Sequence, residues 1–327
     1  MSVPATMRAF VCREITEDRS GAALSEIPVP TLREGEALVK VVAASVNFPD
    51  LLMCQGKYQL KPPPPFVPGM EMSGEVVAVN GAGFSIGDRV VGGTRIGSFA
   101  EYVAVPISGL RYKPAALDMA QSAGYGAAYL TAYVALVRRG HLQHGETLLV
   151  HGAAGGVGLA AVDMGLSLGA TVIATASSEE KRAFLKSYGA HHVLESSVFR
   201  EAVKDLTGGR GADVIYDPVG GDVFDECVRC IAFDGRLLVI GFTSGRIPNV
   251  SVNMPLIKGF SVVGVRAGEY GRQFPQRGVE NADAIWKMAD AGDLRPHVYA
   301  KLPLEKVHEA FALLDSRKVI GKVVIEP

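Results

Sequence analysis

A glycine-rich turn between an apolar strand and a small-residue helix constrains the fold of this chain more than any other feature. The residues "HGAAGGVG" at 151–158 follow "ETLLV" and precede "LAAVDMGLSLG". Within them, "AAGGVG" fits the pattern G-x-G-x-x-G, with Ala153, Gly155 and Gly158 at the three glycine positions. After a strand and before a helix, this pattern is typical of a dinucleotide-binding βαβ unit. We therefore predict that such a unit begins here.

The positions of this turn have different physical tasks. Gly155 lets a pyrophosphate approach the N–H groups at the helix N-terminus, and Gly158 lets the helix lie close to the strand. Ala153 is a tolerable replacement for a turn glycine, provided that its φ is negative. We predict that this turn, with Ala153 at its first position, binds a dinucleotide. The alternative is a glycine-rich helix start that serves packing alone.

The end of the following strand distinguishes between two cofactors. An NAD-preferring site carries Asp or Glu about 20 residues after the glycines, to bind the ribose 2′-OH. Here Ala176 and Ser177 occupy that place, so Ser177 can bind a 2′-phosphate with positive charge from Lys181 or Arg182. In the alternative, Ser177 and Glu180 form a capping box, and Lys181 lies on a solvated face. We predict NADPH, although the acidic pair that opens this helix opposes a phosphate.

The pattern along the 327 residues predicts two domains. From about residue 122, strands alternate with helices, which is typical of a parallel sheet. The first third reads as strands and turns, and "GKVVIEP" at the C-terminus is a strand that returns to the first domain. We predict an α/β chain, with a doubly wound Rossmann domain at 123–265 and a mainly-β domain at 1–122 and 266–327. "KPPPPFVPG" at 61–69 is an extended connection, either beside a site or as a rigid spacer.

Composition excludes several classes of function. The 33 basic and 34 acidic side chains are interspersed and nearly balance, so there is no electrostatic footprint for nucleic acid or an anionic membrane. The longest apolar stretches are too short to span a bilayer, and the N-terminus lacks the apolar region of a secretory signal. Four cysteines are too few for a disulfide framework. We expect a cytoplasmic protein that acts on a small molecule.

Motifs spread over the whole length carry a family resemblance. They are "AASVNFPDLLMCQGKY" at 43–58, "VPGMEMSGEV" at 67–76, "GDRVVG" at 87–92, "HGAAGGVGLAAV" at 151–162, "YDPVGGDVF" at 216–224, "GRLLVIGF" at 235–242 and "GKVVIEP" at 321–327. Together they resemble the medium-chain dehydrogenase/reductase superfamily, and within it the zinc-free, zeta-crystallin-like NADPH:quinone oxidoreductases. The resemblance implies that the mainly-β domain is GroES-like and catalytic.

Departures from the zinc-dependent relatives indicate a site without metal. Those relatives carry a cysteine where this chain has Asn47, and a histidine where it has Met70. Neither residue suits a tetrahedral catalytic zinc site, and the four-cysteine lobe of a structural zinc is absent. Cys227 and Cys230 form a single pair within a helix, which we interpret as packing, and the seven histidines lack metal-site spacing. Without a Lewis acid, acceptors that delocalise negative charge remain reachable, such as quinones and conjugated alkenes.

The resemblance also implies roles for individual residues toward the cofactor. It places Gly155, Gly156, Val157 and Gly158 around the pyrophosphate, and Ser177 and Lys181 at the 2′-phosphate. The residues beside the nicotinamide would be Asn47, Phe48, Asp50, Thr131, Gly241 and Phe242, with further contacts from Val265, Arg266 and Arg317 or Lys322. Asp217 either contacts the cofactor or caps its own turn. Asn47 and Tyr58 are the candidate catalytic residues. The spacing from Asn47 to Tyr58 is similar to that in enoyl thioester reductases, where the tyrosine donates a proton; alternatively, Tyr58 is a wall residue.

Three functions follow from these residues. The leading prediction is a zinc-independent transfer of hydride from NADPH to quinones. The alternatives are an NADPH-dependent reductase of α,β-unsaturated carbonyls or enoyl thioesters, and an NADPH-binding protein without turnover. The resemblance also implies a homodimer, because members of the superfamily commonly pair edge strands between two nucleotide-binding domains. "FSVVGV" at 260–265 is a plausible edge strand of that kind.

Overall fold

The computed structural model describes residues 3–327, which form two compact units. The first unit takes the chain through Ala127, together with 289–292 and 296–327, and the second takes 128–288 and 293–295. We expected the chain to leave the second domain at 265, but this unit continues to 288. One contact that joins this part of the chain to the second unit is made by Asn281, in a long helix beyond 265, which accepts a hydrogen bond from Arg138 at 2.7 Å.

The strands run in chain order as follows: β1 Thr6–Cys12, β2 Ala22–Pro28, β3 Glu36–Val46, β4 Glu71–Asn80, β5 Arg89–Gly93, β6 Tyr102–Pro106, β7 Leu110–Tyr112, β8 Thr147–Val150, β9 Thr171–Ala176, β10 His192–Glu195, β11 Ala212–Asp217, β12 Ile231–Val239, β13 Ser261–Gly264, β14 Val298–Pro303 and β15 Lys322–Glu326.

The α-helices are α1 Phe48–Cys54, α2 Met119–Tyr133, α3 Gly156–Ser167, α4 Glu179–Tyr188, α5 Phe199–Leu206, α6 Gly221–Cys230, α7 Asn253–Lys258, α8 Ala267–Gln273, α9 Pro275–Ala291 and α10 Val307–Asp315. A π-helical segment, Val134–Arg139, continues α2. Within residues 3–327, no helix has the length and apolar character needed to cross a membrane.

The first unit is mainly β, as predicted. Its seven-stranded sheet has the order β14-β15-β3-β4-β5-β7, with β6 also paired to β3, and β1 and β2 form a separate antiparallel pair. The C-terminal strand β15 pairs antiparallel with β3, which confirms the predicted return of the chain. Segment 61–69 is irregular apart from a single β-bridge between Phe66 and Cys12, because its prolines exclude a helix or a central strand.

The second unit contains a six-stranded parallel sheet in the order β10-β9-β8-β11-β12-β13. This is the doubly wound nucleotide-binding order, so the predicted Rossmann domain is confirmed. All four residues of β8 are buried, as expected for a strand covered on both faces. Strand order reverses between β8 and β11, and a crevice for ligands opens at the carboxyl ends of such strands.

Candidate active site

The glycine turn follows β8 directly, and its backbone explains the alanine in the motif. Gly152 has φ +56°, whereas Ala153 is not among the residues with positive φ. The left-handed position therefore precedes the motif, and alanine fits its place without strain. Ala153 is fully buried and donates its backbone N–H to the Thr175 carbonyl on β9 at 3.1 Å. Ala153 thus supports the turn from within the protein.

Gly158 and Gly155 lack side chains for different reasons. A Cβ at Gly158 would lie 2.2 Å from the Gly152 oxygen, so close packing of α3 on the turn excludes any side chain. A Cβ at Gly155 would meet only the Gly152 oxygen, at an ordinary 3.4 Å. The protein itself therefore leaves room at Gly155. Because a side chain here would fill the space before the N-terminus of α3, the arrangement fits a pyrophosphate.

The N-terminus of α3 is open to an anion. Gly155 is its N-cap with φ −76° and ψ 167°, and no side chain caps the helix. Gly155, Gly156 and Val157 are half-buried, while Gly158 lies in the interior. Uncapped N–H groups together with the helix dipole attract negative charge. The Gly155 N–H already donates to the Gly152 carbonyl at 2.9 Å, so the first-turn N–H groups of α3 are the donors that suit a diphosphate.

His151 supports the turn in a way that sequence reasoning missed. Its ring is fully buried, with Nδ1 2.9 Å from Thr175 Oγ1 and Nε2 3.1 Å from Cys227 Sγ. Burial lowers the pKa of His151 to about 3, so the imidazole is neutral at physiological pH. The side chain therefore links β8, β9 and α6 below the turn. Its position immediately before the glycines is the signal that could have identified it.

The end of β9 presents a hydroxyl and two cationic residues. Ser177 is exposed, and its hydroxyl makes no hydrogen bond to the residues described. Ser178, not Ser177, caps α4, because its Oγ accepts the Lys181 N–H at 3.3 Å. The capping box that we considered for Ser177 is therefore wrong. Arg182 donates to the Ala176 carbonyl at 3.3 Å and lies at the end of the strand.

Charges near Ser177 are partly balanced within α4. Arg182 pairs with Glu179 at 2.8 Å, so one carboxylate of the acidic pair is neutralised locally. Lys181 is half-buried, and burial lowers its pKa while Glu180 acts in the opposite direction. The Ser177 region thus offers a hydroxyl with cationic residues beside it, which fits a 2′-phosphate.

The carboxyl ends of β11 and β12 lie across the switch point from β8. Asp217 is buried, and one of its carboxylate oxygens accepts the N–H groups of Val219 and Gly220 at 2.8 and 2.9 Å. It therefore caps its own turn, which was one of our two predictions for Asp217; the other was a contact with the cofactor. After β12, Gly241 is half-buried and the Phe242 ring is exposed.

Two predicted contact residues follow β13 at the edge of the sheet. Val265 extends the pairing by donating its N–H to the Val239 carbonyl at 3.0 Å. Arg266 is exposed and lies 3.8 Å from Glu269. Thr131 is half-buried in α2, and Arg317 is exposed after α10 with φ +56°. Each therefore lies at or near the protein surface of its own unit.

In the first unit, α1 carries the segment "NFPD". The Phe48 ring is exposed, and Asn47 is the N-cap. Asp50 is fully buried: its Oδ2 accepts the Asn47 N–H at 2.8 Å, and its Oδ1 accepts the Gly69 N–H at 3.2 Å. We predicted that Asp50 contacts the cofactor. In the structure, its two hydrogen bonds join α1 to the segment before β4, and none of its surface faces solvent.

Asp50→Asn is expected to change the pH dependence of stability. Burial raises the pKa of Asp50 to about 7, although the Asn47 N–H acts to lower it, against about 4 in the unfolded chain. Between these pH values, the folded chain retains a proton that the unfolded chain releases, so this group reduces stability as pH rises and does so fully above about pH 7. Denaturant unfolding at pH 5 and pH 8 should therefore show that the wild type loses more stability than the variant. An equal loss contradicts the raised pKa.

Asn47 is also part of a buried polar cluster with Glu71 and Lys322. Lys322 Nζ lies 2.6 Å from Asn47 Oδ1 and 3.2 Å from Glu71 Oε1, and Asn47 Nδ2 donates to Glu71 Oε1 at 2.9 Å. The Lys322 ammonium is therefore the cation beside Asn47. Within residues 3–327, no three His, Cys, Asp or Glu side chains are grouped as metal ligands.

Tyr58 lies in the chain segment that follows α1. It is half-buried against the core of the first unit, and its hydroxyl makes no hydrogen bond to the part of the chain described, residues 3–327. The hydroxyl is thus available to an external acceptor. Cys227 and Cys230 are buried and unbridged, which agrees with the packing role we predicted.

Two family models match separate parts of the chain. "Alcohol dehydrogenase GroES-like domain" matches residues 33–115, and "Zinc-binding dehydrogenase" matches residues 156–283. Combined with the mainly-β first unit and the doubly wound second unit, they define a medium-chain dehydrogenase/reductase. The predicted GroES-like and Rossmann architecture is therefore confirmed.

Comparison with similar proteins shows which family of the superfamily the chain belongs to. "Quinone oxidoreductase-like protein 2 homolog" of Nematostella vectensis is 38% identical over 97% of this chain and 88% of its own. A probable oxidoreductase from Mycobacterium abscessus has 38% identity and a TM-score of 0.89, over 99% of this chain and 100% of its own. A mycobacterial protein in complex with NADPH has 32% identity and a TM-score of 0.85, over 98% and 100%. The chain belongs to the quinone oxidoreductase family of medium-chain dehydrogenases/reductases.

Proposed function

We propose that this protein is a zinc-independent reductase that transfers a hydride from NADPH to quinones. The overall reaction consumes one NADPH, one proton and one quinone, and yields NADP⁺ and a hydroquinone. The cofactor, when bound, supplies the hydride equivalent. The chain's own residues bind and orient the reactants, and solvent can supply the proton, because the electron-poor acceptor stabilises the charge that it receives.

The proposal that the acceptor is a quinone rests mainly on one observation, the Lys322 ammonium beside Asn47. Asn47 Oδ1 and Glu71 Oε1 are both engaged by this ammonium, at 2.6 and 3.2 Å. A metal held by these side chains would first have to displace a buried, paired cation. Chemistry without a Lewis acid is therefore favoured, and it suits quinones or conjugated carbonyls better than isolated ketones.

The choice of NADPH is supported by the two features of the second unit that fit its phosphates. Gly155 leaves space before the uncapped N-terminus of α3, which suits the pyrophosphate. Ser177 has a free hydroxyl at the end of β9, where Ala176 and Ser177 stand in place of an acid. Of the acidic pair that follows, Glu179 is paired with Arg182 at 2.8 Å. The mycobacterial relative solved with NADPH agrees with this choice.

An acceptor panel tests the proposed function. Loss of NADPH absorbance is followed with a benzoquinone, a naphthoquinone, an enone and an isolated ketone, each with and without a chelator. We expect fast reduction of quinones, no reduction of the isolated ketone and no effect of the chelator. Turnover of the isolated ketone that disappears with chelator would contradict zinc independence. Any acceptor-dependent oxidation of NADPH excludes the remaining alternative, a cofactor-binding protein without turnover.

Tyr58→Phe distinguishes the quinone reductase from a reductase of conjugated carbonyls. The free Tyr58 hydroxyl favours this second candidate, because an enone needs a proton at carbon after it receives hydride. If Tyr58 donates that proton, enone reduction should fall by about 10²-fold or more, while quinone reduction stays within about twofold. The two substrates are assayed in parallel on one preparation. An equal effect on both, or none, assigns Tyr58 to the wall of the site.

We also propose that the protein is a homodimer through the second unit. Strand β13 is an edge of the six-stranded sheet, and Val262 on it is 38% exposed. Phe233, Leu256 and Ile257 are 82%, 83% and 72% exposed. Such apolar exposure beside an unpaired edge indicates a protein interface. Sedimentation at twice the chain mass, lost in Ile257→Asp, supports this proposal, whereas a wild-type monomer contradicts it.

A further inference from the structure

Lys322 is buried at the start of β15, on the sheet of the first unit. β15 lies next to β3, and β3 lies next to β4, so three adjacent strands bring Lys322, Asn47 and Glu71 together. Lys322 is 7% exposed and Glu71 is 4% exposed. A Cβ at Gly124 of α2 would lie 3.4 Å from Lys322 Cγ, so this helix covers the lysine stem closely.

The ammonium determines which way the Asn47 amide points. Lysine can only donate hydrogen bonds, so the amide oxygen must face Nζ. The amide nitrogen then faces Glu71 Oε1 at 2.9 Å and the Ser45 carbonyl at 3.4 Å. A reversed amide would place N–H groups against the ammonium. Every polar atom of the Asn47 side chain is therefore held in one orientation.

Glu71 extends the same network to α2. Its Oε1 accepts from Lys322 and Asn47, and its Oε2 accepts the Ala127 N–H at 2.8 Å. A Cβ at Gly126 would approach this Oε2 to 3.2 Å, so the small residue allows the carboxylate to reach the helix backbone. One ion pair thus connects the N-cap of α1 with the middle of α2.

We propose that Lys322 is a positioning residue of the reductase: its ammonium orients the Asn47 amide and, with Glu71, ties α1 to α2. The role rests on the proposed function, in which α1 borders the reacting groups. Asn47 would border only the reacting end of the cofactor, and the glycine turn that would hold the pyrophosphate belongs to the other unit. We therefore expect loss of Lys322 to affect turnover far more than cofactor affinity. The family resemblance suggests an alternative, a direct contact between Lys322 and the cofactor. In that case, replacing Lys322 should weaken NADPH binding.

The test compares Lys322→Met, Lys322→Arg and the double variant Glu71→Gln/Lys322→Met. For each, kcat with a quinone, Kd for NADPH by fluorescence and unfolding by denaturant are measured. We expect Lys322→Met to lower kcat roughly tenfold to a hundredfold, as a misplaced site residue does, with Kd within about twofold. Lys322→Arg should restore part of kcat, because a guanidinium can donate to both partners. The double variant should regain stability, because it leaves no unpaired buried charge, but not kcat.

Two results would overturn this role. Recovery of wild-type kcat in the double variant would mean that Lys322 only balances the charge of Glu71. A Kd for NADPH raised about tenfold in Lys322→Met, equivalent to 1.4 kcal/mol, would mean that Lys322 contacts the cofactor. If Lys322→Met does not fold, kcat and the Kd for NADPH can still be compared with the wild type in Lys322→Arg and in the double variant.

Hydrogen exchange separates this role from the proposed function. In the chain without cofactor, Lys322→Met should accelerate amide exchange in the segments that contain Asp50 and Ala127. Unchanged exchange in both segments would contradict the tie between α1 and α2. If the wild type reduces no quinone, the proposed function fails, and the exchange result still decides whether Lys322 holds this network.

Discussion

Gly158→Ala is expected to destabilise the second unit and to abolish NADPH binding. The added Cβ would lie 2.2 Å from the Gly152 oxygen, 2.8 Å from the Gly152 carbon and 2.9 Å from Ala153 Cα. These are backbone atoms of the turn, so the overlap is relieved only if α3 moves away from β8. Overpacking of this kind costs about 3 kcal/mol. Denaturant unfolding measures the loss of stability, and NADPH fluorescence measures the loss of binding.

Gly155→Ala is the matched control for this prediction. Its Cβ would be at an ordinary 3.4 Å from the Gly152 oxygen, and the backbone of Gly155 suits alanine. Stability should therefore change by about 1 kcal/mol or less, the usual effect at an N-cap. The methyl group would nevertheless fill the space before the helix, so NADPH affinity should fall about tenfold or more. Wild-type affinity in Gly155→Ala would show that no pyrophosphate binds there.

Ser177→Asp is expected to change the cofactor preference from NADPH to NADH. Ser177 is exposed at the end of β9 and makes no hydrogen bond to residues 3–327, so the substitution leaves the fold intact. A carboxylate there repels a 2′-phosphate by about 1 to 4 kcal/mol at contact distance, and it can accept from a ribose 2′-OH. Affinity for NADPH should fall about tenfold or more, while that for NADH rises. Fluorescence titration with both cofactors measures the change.

Ser178→Asp supplies the control with the same charge one residue later. Ser178 caps α4 through the Lys181 N–H, and aspartate caps a helix as well as serine does. The helix should therefore persist, and the preference should shift by no more than about threefold, because an exposed charge that makes no contact is screened. Equal shifts in the two variants would mean that the general charge, rather than a contact at Ser177, sets the preference.

Local patterns predicted the nucleotide-binding unit well. An apolar run followed by glycines and a small-residue helix is compatible with few structures other than a βαβ unit. A buried parallel strand and a closely packed helix both require these residues. The requirement for negative φ at Ala153 also follows from local sterics, and the structure satisfies it. Where two local signals competed for Ser177, one of the two alternatives, the helix cap, was wrong. The S-x-x-E pattern favoured Ser177 as the cap of α4, but β9 ends at Ala176 and the helix begins at Glu179.

The boundary of the second unit was not predictable from local signals. Helices α8 and α9 follow the last strand of the sheet, and nothing in their own periodicity indicates which unit they join. Long-range contacts join them to the second unit, among them those of Arg138, whose side chain binds Asn281 and Glu280 of α9 at 2.7 and 2.9 Å. This pairing joins residues more than a hundred positions apart in the chain.

The sequence alone indicated the alternating strands and helices of the nucleotide-binding unit and its glycine turn, because these depend on neighbouring residues and on periodic burial. Motifs along the whole chain carried the family resemblance. The tertiary structure alone decided which polar side chains meet. Lys322 and Asn47 are 275 positions apart, and they come together only because β15 returns to lie beside β3. Their partner Glu71 is brought to the same face by β4. A buried lysine needs a partner, but only the path of the chain determines which partner it finds.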